Sequence, residues 1–334
     1  MEAKQSQRVR LEGRTPLHEV APLSTPFHIF VDPSAACNFS CGFCFNKDKS
    51  KTFHRIMKYD LFEKIVNDIS KFPEKLKVLR LYKEGEPLLN KRLPEMIAYA
   101  KKMEVSETID FTSNGSMLTP EKNLELIKSG LDAINISVEA LTEEKYFEIS
   151  RVKIDFKKYV ETIRHLYKNK GNCRILIKTN DIGVKKDEEQ KFYDIFGDIC
   201  DEISIEQIVP IWNNVDISEL KSEYDKGIYN QSISNISVCP YIFYSMAINS
   251  DGSVSSCFSD WEHVNLIGNA YEQNVVDIWN GEAMTKLRIA HLEKQKHLYP
   301  ACANCKQLAF VAIDNIDDHA DSILKKIRMK QLIS

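Results

Sequence analysis

From residue 28 to about residue 210 the chain alternates short strand patterns with helical ones, and this rhythm constrains the fold more than any other feature. The strand readings are HIFVD (28–32), KVLRLY (77–82), TIDFTSN (108–114), AINISVEA (133–140), RILIKTN (174–180) and EISIEQIV (202–209). Helical spacing marks 60–72, 92–103, 119–130, 155–171 and the region near 187–199. In the third of these, Thr119 suits the N-cap, Pro120 the first helical position and Gly130 the stop. Six strand–helix rounds are expected, the last helix being the least marked. Such alternation implies parallel strands joined by crossover helices. In parallel α/β folds the ligand lies beyond the C-terminal ends of the strands. Those ends carry Glu84 and Glu86, Ser113 and Asn114, Ser137 and Glu139, and Asn180.

After about residue 215 the rhythm breaks. The segment 244–257 reads as a hairpin around an Asp251–Gly252 turn, and 274–294 is helix-rich. The tail 317–332 has the pattern of a charged surface helix covering an edge. The expected organisation is an N-terminal extension (1–27), an α/β domain (28–215), a smaller α+β domain (216–310) and a helical tail (311–334). With 43% hydrophobic residues in 334, a sizeable core is possible. A net charge of −3 gives no support for nucleic-acid binding. No apolar run approaches a membrane span, and residues 1–19 lack the apolar core of a signal peptide, so a cytoplasmic location is expected.

The nine cysteines are clustered. Cys37, Cys41 and Cys44 share one loop directly after the first strand, and Cys239, Cys257, Cys302 and Cys305 bracket the smaller domain. In a reducing compartment this grouping reads as metal ligation. Three thiolates are one short of a closed site. They can hold a [4Fe-4S] cube by three corners and leave one iron open. A catalytic zinc also uses three protein ligands, but seldom three cysteines of one short loop. Phe39, Phe43 and Phe45 interleave with the thiols and would exclude water. The two remaining cysteines, Cys173 and Cys200, precede the fifth and sixth strands, at the end opposite the expected ligand rim.

CNFSCGFC (37–44) resembles the CxxxCxxC loop of the radical S-adenosylmethionine (SAM) superfamily. EGEPLL (84–89) is similar to that family's GGEP motif, with Glu84 in place of the first glycine. TSNG (112–115), ISVE (136–139) and YFEISR (146–151) resemble its other SAM-contacting segments. The resemblance implies a partial (β/α)6 barrel and a 5′-deoxyadenosyl radical that abstracts hydrogen from substrate. It implies SAM contacts at Phe43, Gly85, Glu86, Pro87, Ser113, Asn114, Ser137, Glu139 and Arg151. It also implies a reducing partner such as flavodoxin or ferredoxin.

The second cysteine set, with CPYIFYSMAINSDGSVSSC, LIGNAY and DIWNG around it, resembles the SPASM domain in its shortened twitch form. That implies one auxiliary [4Fe-4S] cluster with four protein ligands, although zinc accepts the same four thiolates. The spacing resembles that of twitch-type aminocyclitol dehydrogenases. A closed cluster can accept an electron, which suits oxidation of a small polar substrate such as a sugar, nucleotide sugar or aminocyclitol. An epimerase would need a hydrogen donor, and neither spare thiol is expected at the rim. A peptide-modifying role is disfavoured because only 27 residues precede the first strand; an iron-sulfur binding or regulatory protein is the non-enzymatic alternative. Tyr82, Asn180, Glu206 and Trp212 stand on elements that could face the substrate.

Overall fold

A computed structural model of the chain describes residues 3–9, 12–48, 53–221 and 223–333. One sheet contains β1 (Lys4–Gln5), β2 (His28–Val31), β3 (Leu76–Arg80), β4 (Ser106–Ser113), β5 (Ala133–Ser137), β6 (Arg174–Asn180), β7 (Glu202–Glu206), β8 (Ser245–Ile248), β9 (Ser253–Ser255) and β10 (Leu266–Asn269). Its order is β1-β7-β6-β5-β4-β3-β2-β8-β9-β10. Neighbours from β1 across to β8 are parallel, and β8, β9 and β10 form an antiparallel meander.

The short α1 (Leu17–Val20) precedes β2. The crossovers are α2 (Tyr59–Ile69), α3 (Leu93–Lys102), α4 (Pro120–Lys128), the pair α5 (Glu143–Ser150) and α6 (Phe156–Asn169), and α7 (Glu189–Phe196). The side chain of Thr119 caps α4 by accepting from Lys122 N–H, Pro120 opens it, and Gly130 follows its end at φ +85°. The expected sixth helix does not form. Among the described residues no α-helix lies between β7 and β8, and Pro210, Asn213 and Asn214 interrupt that stretch.

Segments from outside residues 28–215 join both edges of the sheet. Lys4 and Gln5 pair with Glu202 and Ile203, so the N-terminal segment covers the β7 edge. At the other edge the hairpin expected over 244–257 forms, and its first strand adds in parallel to β2, His28 pairing with Ser245 and Val31 with Ile248. The sheet therefore runs without a break across residue 216. Beyond it come α8 (Val275–Asn280), α9 (Glu282–Leu292), α10 (Pro300–Ala303), α11 (Gln307–Phe310) and α12 (Ala320–Ile333). The tail helix α12 packs on α9 and buries Ile323 and Ile327.

Alternation along the parallel strands separates two faces. Leu79, Ile109, Ile134, Ile136, Ile175 and Ile177 are fully buried in the apolar core beneath the helices. The inner face is polar. Arg80 donates to Asp110 at 2.8 Å, Asn135 to Thr112 at 3.3 Å, Lys178 to Glu206 at 2.8 Å and Asn180 to Glu139 at 3.2 Å.

Candidate active site

The three-cysteine loop leaves the C-terminal end of β2 and is held by the neighbouring strand ends. The amide of Glu86 donates to Ala36 O at 2.8 Å. A Cβ on Gly85 would stand 2.1 Å from Ala36 O and 2.3 Å from Ser34 O, so only glycine allows this approach. The carboxylate of Glu86 is wholly engaged. It accepts from Ser113 Oγ and from the amide of Asn114, both at 2.8 Å, and from Leu88 N–H at 3.0 Å. Burial nevertheless pushes its pKa up to about 7. Glu86 therefore reaches the site through its backbone, and its side chain ties the end of β3 to the end of β4. Pro87 is buried at the start of the 3₁₀ turn that follows.

Asn114 extends the connection into the loop by donating to Asn38 Oδ1 at 2.8 Å, while Asn38 donates to Ser116 Oγ at 2.8 Å. On the other flank, Ser40 N–H donates to Ser150 O at 2.9 Å and Gly42 N–H to Ile149 O at 3.2 Å. The C-terminus of α5 thus supports the middle of the loop. Arg151 caps that helix in the left-handed region (φ +62°) with an exposed side chain beside the loop. Phe39 is buried edge-on to Tyr146, Phe45 lies between Trp212 and Trp261, and Phe43 remains half-buried.

Glu84, which replaces the resembling motif's first glycine, is buried. Its carboxylate pairs with the ammonium of Lys83 and accepts from His263 Nε2 at 2.6 Å. Burial opposes its ionisation, but Lys83 and His263 hold its pKa below the ordinary carboxylate range. The adjacent Asp32 is raised to about 8 by burial and by the charge of Glu84. Lys83 also donates to Asp260 O at 3.0 Å, and Asn46 donates to Glu84 O at 2.6 Å. This cluster joins the first cysteine loop to the residues following Cys257. Replacing Glu84 by glycine would leave a fully buried Lys83 without its counter-charge. We expect Glu84→Gly to destabilise the chain by about 3–5 kcal/mol. Adding Lys83→Met should recover most of that loss in a thermal-unfolding comparison of single and double variants.

The residues expected to face substrate divide into two places. Tyr82 meets Phe30 edge-on and accepts from Arg80 at 3.1 Å. Glu206 is held by Lys178 and, at 3.6 Å, by Arg8. Burial works against its charge, but Lys178 and Arg8 keep its pKa low. Arg8 also donates to Tyr229 OH at 3.3 Å. Asn180 is a turn former, its Oδ1 accepting from Ile182 and Gly183 amides while its amide group holds Glu139. Burial raises Glu139 despite nearby Lys178. Ser137, half-buried, ends β5 on this side. Trp212 does not join this group, because its ring packs on Phe45 of the cysteine loop. Arg8, Arg80, Asp110 and Tyr229 complete the polar face and were not expected to do so. A period-two polar pattern in parallel strands was the available signal for Arg80 and Asp110.

The second cysteine set converges. Cys239, Cys257, Cys302 and Cys305 line one cavity, although they come from three separate segments, Cys302 and Cys305 sharing the last. Among the described residues no three His, Cys, Asp or Glu side chains gather closely enough to hold a single metal ion. Four thiols spread around a shared cavity fit a larger group held at its corners. Donors to sulfur are already in place. Asn265 Nδ2 lies 3.3 Å from Cys302 Sγ, and the Ser259 amide 3.5 Å from Cys257 Sγ. Cys173 and Cys200 stand apart at the N-terminal ends of β6 and β7, where burial pushes both thiols up to about 12.

Residues 31–199 match the radical SAM superfamily, and residues 239–306 match the SPASM iron-sulfur cluster-binding domain. The chain belongs to the radical SAM superfamily, whose domain binds a [4Fe-4S] cluster and SAM, and its SPASM domain binds auxiliary iron-sulfur. It is 25% identical over 316 residues to the tungsten-containing aldehyde ferredoxin oxidoreductase cofactor-modifying protein of Pyrococcus furiosus, covering 83% of this chain and 86% of that one. It is 33% identical over 126 residues to a probable GTP 3′,8-cyclase of Methanococcus maripaludis, a match that spans 37% of this chain and 39% of the cyclase. Among solved structures, BtrN in complex with AdoMet and 2-DOIA superposes with a TM-score of 0.56 at 16% identity, covering 87% of this chain and 96% of that one. Streptococcus suis SuiB bound to its precursor peptide SuiA gives 0.63 at 17% identity, covering 81% of this chain and 69% of SuiB. These two structures share the fold. No helix among the described residues is long and apolar enough to cross a membrane.

Proposed function

We propose that this radical SAM enzyme oxidises an alcohol carbon of a small polar substrate, a sugar, nucleotide sugar or aminocyclitol, to a ketone. The observation that carries the reading is the four-thiol cavity of Cys239, Cys257, Cys302 and Cys305, a closed ligand set suited to accepting an electron. When bound, SAM and the first cluster supply the radical that removes a substrate hydrogen, and the auxiliary cluster supplies the electron acceptor. The alcohol loses a hydrogen atom from carbon, a proton from oxygen and one further electron. Outside the two ligand sets the described cysteines are Cys173 and Cys200, and both lie buried at the far end, away from a place to return the hydrogen.

The inner face supports a hydroxyl-rich ligand. Arg8, Arg80 and Lys178 supply donors, and Asp110, Glu139 and Glu206 supply acceptors. Asp110 Oδ1 is buried with no hydrogen-bond partner, and burial raises the Asp110 pKa, so this oxygen supports the reading as an acceptor for a substrate hydroxyl. The flavodoxin or ferredoxin expected from the sequence fits as the reducing partner.

The test is anaerobic incubation with SAM, reductant and candidate polyols in deuterated water. Product lighter by two hydrogens, with no deuterium at carbon, supports oxidation. Product of unchanged mass apart from carbon-bound deuterium would mean epimerisation. A second reading rests on the relative named as a cofactor-modifying protein, which aligns along most of both chains. In that reading the polar substrate is a cofactor precursor, and sugars and aminocyclitols would be inert.

A further inference from the structure

Helix α9 brings His291 to the auxiliary cavity on its last turn, and α11 begins with Gln307 two residues after Cys305. Both side chains line the cavity formed by the four thiols. Both are 1% exposed. Neither ring nitrogen of His291 has a hydrogen-bond partner, and neither Oε1 nor Nε2 of Gln307 has one. Buried polar groups are nearly always paired, so two unpaired groups lining one cavity point to an occupant for their N–H donors. A neutral imidazole offers one N–H and a carboxamide two.

We propose that His291 and Gln307 donate hydrogen bonds to the auxiliary iron-sulfur cluster and thereby set its reduction potential. Thiolate and sulfide sulfurs are acceptors, and hydrogen bonds to them stabilise the more negative reduced state. The inference rests on an iron-sulfur cluster occupying this cavity, and not on the identity of the substrate. Two further polar side chains stand in this region. Asn265 already donates toward Cys302 Sγ. Arg288, one turn before His291, is 4% exposed and forms no ion pair among the described residues. It donates to Ile242 O at 3.0 Å, and Ile242 also lines the cavity.

His291 and Gln307 are positioning residues, so their test reads the cluster itself. The full-length chain with both clusters is compared as parent, His291→Leu, His291→Gln and Gln307→Leu by EPR-monitored potentiometry. The auxiliary signal is the one unchanged when SAM is added. Each leucine variant should retain the parental iron content and accept an electron about tenfold less favourably, a fall of about 59 mV for a one-electron couple. His291→Gln, which keeps a donor, should restore most of the shift. Pulsed EPR on ¹⁵N-histidine-labelled protein should show a nitrogen coupling that is lost in His291→Leu. Unchanged midpoints in both leucine variants at full iron content overturn the proposal. If His291→Leu fails to load, the comparison of parent with Gln307→Leu decides it on the same criterion. A parental midpoint together with a missing ¹⁵N coupling would show that water fills the cavity edge, and would also overturn it.

Discussion

Gly85→Ala should abolish SAM cleavage and remove about half of the bound iron. The new methyl carbon would fall 2.1 Å from Ala36 O and 2.3 Å from Ser34 O. Both atoms are backbone in the segment leading to Cys37, so no side chain can swing aside. Overpacking normally costs about 1–3 kcal/mol, and a backbone collision belongs at or above the top of that range. The strain has one outlet, which is separation of the cysteine loop from the end of β3. That displaces the Glu86 amide from Ala36 O and misplaces three thiols together. Iron analysis, the yield of 5′-deoxyadenosine and a thermal melt should report the three effects. Parental iron with parental SAM cleavage would show that the approach is not needed.

Replacing Cys37, Cys41 and Cys44 together by alanine should eliminate 5′-deoxyadenosine formation while leaving about half the iron, as expected for two cubes of equal iron content. The remaining iron should give the auxiliary signal unaltered by SAM. The two cysteine sets are served by different elements: the first by the ends of β2, β3, β4 and α5, the second by the hairpin and α9 to α11. Loss of nearly all iron in the triple variant would mean that the second site does not load independently.

Much of this arrangement is written in local pattern. Each strand of the alternation has its partner within a few tens of residues, and Thr119, Pro120 and Gly130 mark a helix by chemistry confined to their own turn. The loop motifs were legible for the same reason, since Cys37 to Cys44 need only one another to be noticed. What escaped depends on distant partners. The β1 strand has two residues, and its pairing with β7 is nearly two hundred positions away. Glu84 shows in the sequence only as a departure from the motif, because its meaning lies in His263, 179 positions later. His291 reads as an ordinary residue of a mixed helix until the cavity beside it is seen. The hairpin at 244–257 was visible, but its parallel docking on β2 was not, because an edge strand carries no label for the sheet it joins. The inner polar face was legible in principle: LRLY, IDFTS, INIS and ISIE alternate where strands covered on both faces would be nearly uniform in hydrophobicity.

The placement of β2 has a mechanical consequence. The strand that delivers the first cysteine loop is hydrogen-bonded on one side to β3 and on the other to β8, the strand that opens the auxiliary region. A swinging motion between the two cofactor regions would have to tear a row of parallel backbone bonds and the buried Glu84–His263 contact at once. The spacing between the clusters is accordingly a fixed gauge length, set by the sheet. Under the proposed oxidation, the electron would then cross a distance set by the pairing of β2 with β8.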